Sequence, residues 1–287
     1  MEPTAFSDWR KLPPPELERQ LNPRVTVPGF QEFLDRAAAA SQRVRETFRV
    51  ERNVRYGPRP RQCLDIYPAA AAGAPAVVFV HGGFWRSLSK EQSAGVAESL
   101  HPRGISTIVI GYDLCPSVTL DELVDEIAQA LQWVLANASG YGMDSQRLHV
   151  AGSSAGAHLV AMATMKAVAD RAWTPAFRSA WLSSGIYELE PVLSISVNRE
   201  IRLDASAAER NSPARHPARL PMPLFIAAGG DESPAWIEQS VAFGEACVAA
   251  GNEVEVMIVP GAHHFSLGIG TAGTALNRAL VAHVEAH

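Results

Sequence analysis

The alternation of apolar and polar residues changes character near residue 75. Before it, residues 48–54 and 62–67 alternate, with Gly57-Pro58 in the turn between them. That pattern predicts two antiparallel edge strands, each half exposed. After it, the apolar positions run without interruption through residues 76–80, 105–110, 148–151, 180–182, 224–228 and 254–259. Such runs are what strands buried on both faces require. Between them the period lengthens. In residues 119–137, Leu120, Leu123, Val124, Ile127, Leu131, Val134 and Leu135 recur at three and four, which makes one apolar helix face. Asp121 and Glu122 fall in its first turn, where carboxylates favour the helix dipole. Residues 155–170, 234–250 and 274–286 read as further helices. Strands alternating with helices at this spacing predict an α/β domain over residues 48–287, with a mostly parallel central sheet and helices on both faces.

Two stretches stand outside this rhythm. Residues 1–47 read as an N-terminal extension. Pro13-Pro14-Pro15 is expected to break any early helix, and residues 30–48 form a helical pattern around the run Ala37 to Ala40. A surface helix is the expectation there, with a place along the mouth of a site as the alternative. Residues 187–222 are irregular and interrupted by Pro191, Pro213, Pro217 and Pro221, which predicts a lid-like insertion between two strands.

Composition narrows the function class. The chain has 287 residues, 47% hydrophobic and 19% charged, ordinary for a folded globular protein. A formal net charge of -5 with no long basic run argues against nucleic acid or an anionic membrane surface as partner. No apolar run of about eighteen residues occurs, and Met1-Glu2-Pro3-Thr4 does not open a signal peptide, so a cytoplasmic protein is expected. Cys63, Cys115 and Cys247 are odd in number and far apart, which suggests neither a disulfide framework nor a zinc site. No P-loop, dinucleotide fingerprint or His-Glu-x-x-His spacing is present, so no cofactor and no metal are expected.

The chemistry centres on Gly152-Ser153-Ser154-Ala155-Gly156, which follows a strand and opens a helix. This is the form of a nucleophile elbow, a turn so tight that small residues must flank the serine two positions away on each side. Ser154 is the candidate nucleophile. The strand at 76–80 ends in His81-Gly82-Gly83-Phe84-Trp85. The N–H groups of Gly82 and Gly83, with that of Ala155, are the candidate oxyanion hole, each such donor being worth about 3 kcal/mol in a dry site. The histidine is expected after the last strand, at Ala262-His263-His264-Phe265. His264 is favoured, because Phe265 can anchor its loop, and His263 then reads as a loop hydrogen-bonder. The acid is expected at Gly229-Gly230-Asp231-Glu232. Glu232 lies three residues beyond Gly229, which brings it toward the histidine loop, and Asp231 is the shorter and more usual acid. Both remain open on spacing alone. The order serine, acid, histidine is that of the α/β-hydrolase fold.

Several stretches resemble the kynurenine formamidases (arylformamidases) of the serine-hydrolase type. They are His81-Gly82-Gly83-Phe84-Trp85-Arg86, Gly111-Tyr112-Asp113-Leu114-Cys115-Pro116, the elbow through Leu159, and Ser184-Gly185-Ile186-Tyr187-Glu188-Leu189-Glu190-Pro191. The resemblance continues through Arg202-Leu203-Asp204, Arg210-Asn211-Ser212-Pro213 and Glu232-Ser233-Pro234 to His264-Phe265, and covers about residues 48–268. It implies hydrolysis of an N-formyl arylamine such as N-formyl-L-kynurenine to the amine and formate. It maps the acid onto Glu232, the base onto His264 and the oxyanion hole onto residues 82–84. It also implies a pocket in which Phe84, Trp85, Ser153 and Tyr187 contact substrate, with Arg202 either meeting the substrate's carboxylate or serving as a structural ion-pair partner. Ser153 and Ala157 stand where the family often carries histidine or aspartate and glycine, a departure that bears on substrate identity. The expected partner is a small molecule, with a homodimer left open. Two rival readings share these residues: a general carboxylesterase or amidase on small acyl substrates, and a non-catalytic ligand-binding protein on a hydrolase fold.

Overall fold

The continuous apolar runs can bury both faces only inside a sheet, and the computed structural model of the chain, which describes residue 9 and residues 11–287, places all of them in one. The strands are β1 (Glu51–Arg55), β2 (Cys63–Tyr67), β3 (Ala74–Val80), β4 (Ser106–Ile110), β5 (Met143–Ser153), β6 (Ser179–Ser183), β7 (Leu224–Gly229) and β8 (Val254–Val259). Their spatial order is β1-β2-β4-β3-β5-β6-β7-β8. β2 is antiparallel to β1 and β4, and every other neighbouring pair is parallel. The period of two sorts the side chains into two cores. Val78, Val80, Ile108, Ile110 and Val150 face one side. Val77, Phe79, Val109, Ala151 and Trp181 face the other.

The helices are α1 (Pro14–Leu21), α2 (Pro23–Thr26), α3 (Phe30–Thr47), α4 (Lys90–Ser93), α5 (Ala97–Leu100), α6 (Leu120–Asn137), α7 (Ala155–Ala169), α8 (Asn198–Ile201), α9 (Ala205–Arg210), α10 (Pro234–Ala249) and α11 (Ala275–Ala286). α6, α7 and α10 cover the first core. α3, α5 and α11 contribute Val44, Leu100, Leu280 and Val284 to the second. No helix among the described residues is long and apolar enough to cross a membrane.

Three expectations change. The prolines at 13–15 do not prevent an early helix, because α1 begins on Pro14. The first turn of a helix has no use for the N–H that proline lacks. β2 is not a half-exposed edge. It is buried along its whole length between β1 and β4. Its polar member, Asp65, takes the Lys90 ammonium at 2.8 Å and the Asn53 backbone N–H at 2.9 Å, so an alternating strand is satisfied without solvent. The extension is also more than a surface helix. α1 clamps onto the body through Gln20, whose carbonyl accepts the Ser233 hydroxyl and whose Oε1 accepts the Ala235 N–H at 3.2 Å. Glu18 accepts from the Ser196 N–H and hydroxyl, both at 2.7 Å.

Two predictions follow from buried charge. The Lys90 and Asp65 side chains are only 4% and 2% exposed. Lys90→Met would leave a buried carboxylate without its cation, and urea unfolding should register a loss of about 3–5 kcal/mol; a loss below about 1 kcal/mol would show that the pair is not holding the sheet edge. Three histidines, His81, His149 and His158, are also buried. Burial pushes His81 and His158 down to about 4 and His149 to about 3. Between those values and the ordinary value of about 6.5 the unfolded chain binds protons that the native chain refuses. Stability is therefore full above that window and falls as pH drops through it, by at most about 1.4 kcal/mol per pH unit for each histidine. Urea midpoints measured at pH 7 and pH 5 check this, and equal midpoints would contradict it.

Candidate active site

Crowding at the end of β5 creates the turn that carries Ser154. A Cβ on Gly152 would lie 2.5 Å from the Gly156 carbonyl oxygen, and one on Gly156 would lie 2.1 Å from that of Val80. Both positions exclude any side chain, and α7 packs directly on β3. Ser154 pays locally, with φ 55° and ψ -122°, a conformation that L residues adopt only when the surroundings enforce it. Its N–H donates to the Ser183 carbonyl of β6 at 2.8 Å, and its carbonyl accepts the His158 N–H at 3.1 Å. The hydroxyl is thereby held at the N-terminus of α7.

His264 arrives from the loop after β8. Its Nε2 lies 3.1 Å from Ser154 Oγ, and its Nδ1 lies 2.6 Å from Glu232 Oε1. Glu232 comes from the loop after β7, and its side chain is 1% exposed. Its second oxygen accepts the Ser184 hydroxyl and the Gly229 N–H, both at 2.7 Å. A carboxylate so surrounded is an acceptor on every side, so the Nδ1 of His264 is the donor and Nε2 presents its lone pair to the serine. The imidazole packs against Trp236, ring centroids 4.4 Å apart, and Phe265, 5.5 Å. Asp231, the alternative acid, is exposed, and its backbone N–H is tied to the Ala262 carbonyl at 2.9 Å. His263 stacks edge-on against Phe33 at 4.7 Å and accepts the Phe265 N–H at 3.2 Å. It stays in its loop.

Gly82 and Gly83 lie beyond the end of β3, and Ala155 is the first residue of α7, where a helical N–H has no intrahelical acceptor. A Cβ on Gly82 would press within 3.1 Å of Ser154 Cβ, and Gly83 takes φ +111°, closing the loop against the Ser87 carbonyl. Two histidines brace this loop. The His81 Nδ1 donates to the Gly82 carbonyl at 2.8 Å, and its ring stacks on Tyr112 at 4.2 Å. The indole N–H of Trp85 donates to Nδ1 of His158 at 3.2 Å. An indole only donates, so His158 carries its proton on Nε2, which donates to the Asn211 carbonyl at 2.8 Å.

A cavity of about 700 Å³ reaches Ser154 and His264, with Gly82, Gly83, Phe84 and Ser153 in its wall. Trp85 and Tyr187, expected to touch substrate, do not line it. Both are fully buried: Trp85 is held by His158, and Tyr187 stacks on Phe243 at 4.1 Å. Arg202 is exposed in the turn that ends α8 and lies outside the cavity wall. No residue of 187–222 lines that cavity, whereas α3 supplies Phe33, Leu34 and the alanines 37–40. The Cys115 thiol is buried, and burial pushes it up to about 11, well away from a reactive thiolate at neutral pH. Ser184 and Trp236 are the contacts that spacing did not reveal. Ser184 follows β6 by one residue, and only the sheet's strand order brings it to the acid of β7. A cavity of similar size, about 710 Å³, beside Trp173, Arg171 and Arg219, holds none of the candidate residues.

The chain is similar to known hydrolases over most of its length. A family profile described as BD-FAE matches residues 64–180. The kynurenine formamidase of Danio rerio is 30% identical over 280 residues, covering 91% of this chain and 92% of its own. That of Salmo salar is 30% identical over 276 residues, with the same coverage. The solved structure of a hyperthermophilic esterase from Pyrobaculum calidifontis, 20% identical, superposes with a TM-score of 0.72 over 95% of both chains, which speaks for the fold alone. With an eight-stranded, mostly parallel sheet, a serine elbow and near full-length similarity to these relatives, the chain is an α/β-hydrolase of the serine-hydrolase type and belongs to the kynurenine formamidase family.

Proposed function

We propose that the protein hydrolyses aryl formamides of the N-formyl-L-kynurenine type, by way of a formyl-serine. The observation that carries the reading is the hydrogen-bonded series from Ser154 Oγ through His264 to buried Glu232, set at the wall of a cavity large enough for a small aromatic substrate. Family membership favours the formamide over other acyl groups.

In the first half-reaction His264 Nε2 takes the Ser154 proton as the oxygen attacks the formyl carbon. Negative charge gathers on the formyl oxygen and is met by the N–H groups of Gly82, Gly83 and Ala155. Glu232 holds the ring in one tautomer and offsets its charge once protonated, while Ser184 and Gly229 keep the carboxylate from turning away. The imidazolium then gives its proton to the departing aniline nitrogen, and the C–N bond breaks. In the second half, His264 deprotonates a water that attacks the formyl-serine, and formate leaves as Ser154 regains its proton. Crowding supports a small acyl group. Phe84 packs edge-on against Trp85 at 5.8 Å and Trp236 at 6.4 Å, and Trp236 lies against His264. Formyl is the smallest acyl group that such a corner could receive.

Side-by-side kinetics test the substrate class. The kcat/KM for N-formyl-L-kynurenine should exceed that for a short-chain phenyl ester, and Ser154→Ala should lower both by at least about a thousandfold. An ester rate far above the formamide rate would assign the protein to general esterases, and full activity in Ser154→Ala would remove the serine mechanism. The acid is tested separately. Glu232→Gln should lower kcat by about 10⁴, because the wrong histidine tautomer faces the serine. Asp231→Asn should stay within a few-fold of the parent. Equal losses in the two variants would overturn the assignment.

A further inference from the structure

The proposed function leaves one part of the cavity wall without a role. Arg24 of α2 and Arg86, just beyond the oxyanion loop, both line the cavity that holds Ser154. Arg86 donates from Nη1 to Glu200 at 2.8 Å, and its Nε, buried, has no acceptor among the described residues. Arg24 donates from Nη2 to the Ser87 hydroxyl at 3.3 Å and lies over the Phe30 ring at 5.8 Å. Among the described residues no carboxylate forms an ion pair with it, and Glu200 is taken by Arg86. Two guanidiniums thus share one carboxylate, itself 55% exposed, on the wall of a partly enclosed cavity. Burial and then the like charge of Arg86 hold Arg24 below its ordinary value, with Glu200 offsetting part of that. The other carboxylates of the cavity wall are engaged elsewhere: Asp35 by Gln31 at 2.8 Å and Glu98 by Arg43 at 2.9 Å.

We propose that Arg24 and Arg86 form a carboxylate-binding subsite, so that the enzyme selects aryl substrates bearing a free carboxylate. This rests on the hydrolase reading above and names the substrate feature that the site recognises. An arginine fork presents parallel N–H donors that match a carboxylate's two oxygens. Here two guanidiniums on one cavity wall, compensated by a single half-exposed carboxylate, supply both the donors and the excess charge that an anion would neutralise. The Gly83 carbonyl accepts the N–H groups of both Arg86 and Ser87 at 3.1 Å, so Arg86 leaves the same tight turn that carries the oxyanion donors. On the other side, Phe30 under Arg24 stacks on Phe265 at 5.7 Å, and Phe265 touches His264. The subsite and the nucleophile thus lie on the wall of one cavity and are linked by a run of ring contacts. Arg24 belongs to the N-terminal extension, which gives that segment a part in specificity.

The test uses matched pairs on the full chain. N-formyl-L-kynurenine is compared with its carboxamide, and O-acetyl-L-tyrosine with its carboxamide. The acid should be preferred over the carboxamide in kcat/KM by tenfold or more. Arg24→Gln and Arg86→Gln should each erase most of that preference, chiefly through KM, and Arg24→Lys should keep part of it. Because the readout is a ratio within one preparation, a general loss of folded enzyme cancels, and Arg86→Gln stands in if Arg24→Gln does not fold. An acid preference unchanged in both glutamine variants, or none in the parent, overturns the subsite. If only the tyrosine pair is turned over and its preference is lost in the variants, the subsite stands and the formamide reading falls.

Discussion

Everything at the site depends on how closely α7 approaches β3. Gly156 sits where a single carbon would collide with the Val80 carbonyl, so the helix can start only after a sharp, strained reversal at Ser154. That one contact places the serine hydroxyl, aims the first N–H of α7, and brings the loop after β3 beside the elbow. The strain is held by the interior: the Ser154 amide bonds to β6 and its carbonyl to the helix turn behind it. Rigid packing on both sides of the sheet therefore serves as the support for one reactive oxygen.

The loops that complete the site are braced from beneath. Trp85 and His158 bond to each other inside the first core, and His158 passes the connection on to Asn211. Trp85 lies beside the candidate oxyanion residues Gly82 and Gly83 yet acts through packing and one hydrogen bond. Glu232 is held by β6 and β7 before it meets His264. Glu232 and Trp85 thus have their orientation set by Ser184, Gly229 and His158, none of which lines the cavity, which is how a site keeps its geometry without relying on loop stiffness.

The N-terminal helices give the cavity its individual shape. Gln20 and Glu18 anchor α1 to the start of α10 and to the segment before α8. α3 then supplies much of the cavity wall, with Phe30 and Phe33 against Phe265 and His263. The irregular stretch 187–222 serves as a buttress, offering Glu200 to Arg86 and Asn211 to His158. Loop length suggested a lid here because irregular segments usually border sites, but none of its residues lines the cavity that holds Ser154.

Much of this was readable from residue order alone. Continuous apolar runs between helical periods define the parallel sheet, since no other arrangement buries both faces of so many strands. The glycines around Ser154 mark the elbow because the turn excludes larger residues, and that is a local rule. Spacing also pointed to the two loops from which Glu232 and His264 meet beside Ser154. What local rules cannot express is who meets whom across the sheet. Ser184 reaches Glu232 only because β6 and β7 are neighbours. Trp85 and Tyr187 look like substrate contacts by position and are core by burial. Arg24 and Arg86, 62 positions apart, share a cavity wall only because α1 docks where it does. Chain order determined the elements, the elbow and the order of reactive groups, for those follow from periodicity and sterics within a few residues. Tertiary packing alone decided which side chains face the cavity, because burial is a property of the assembled layers.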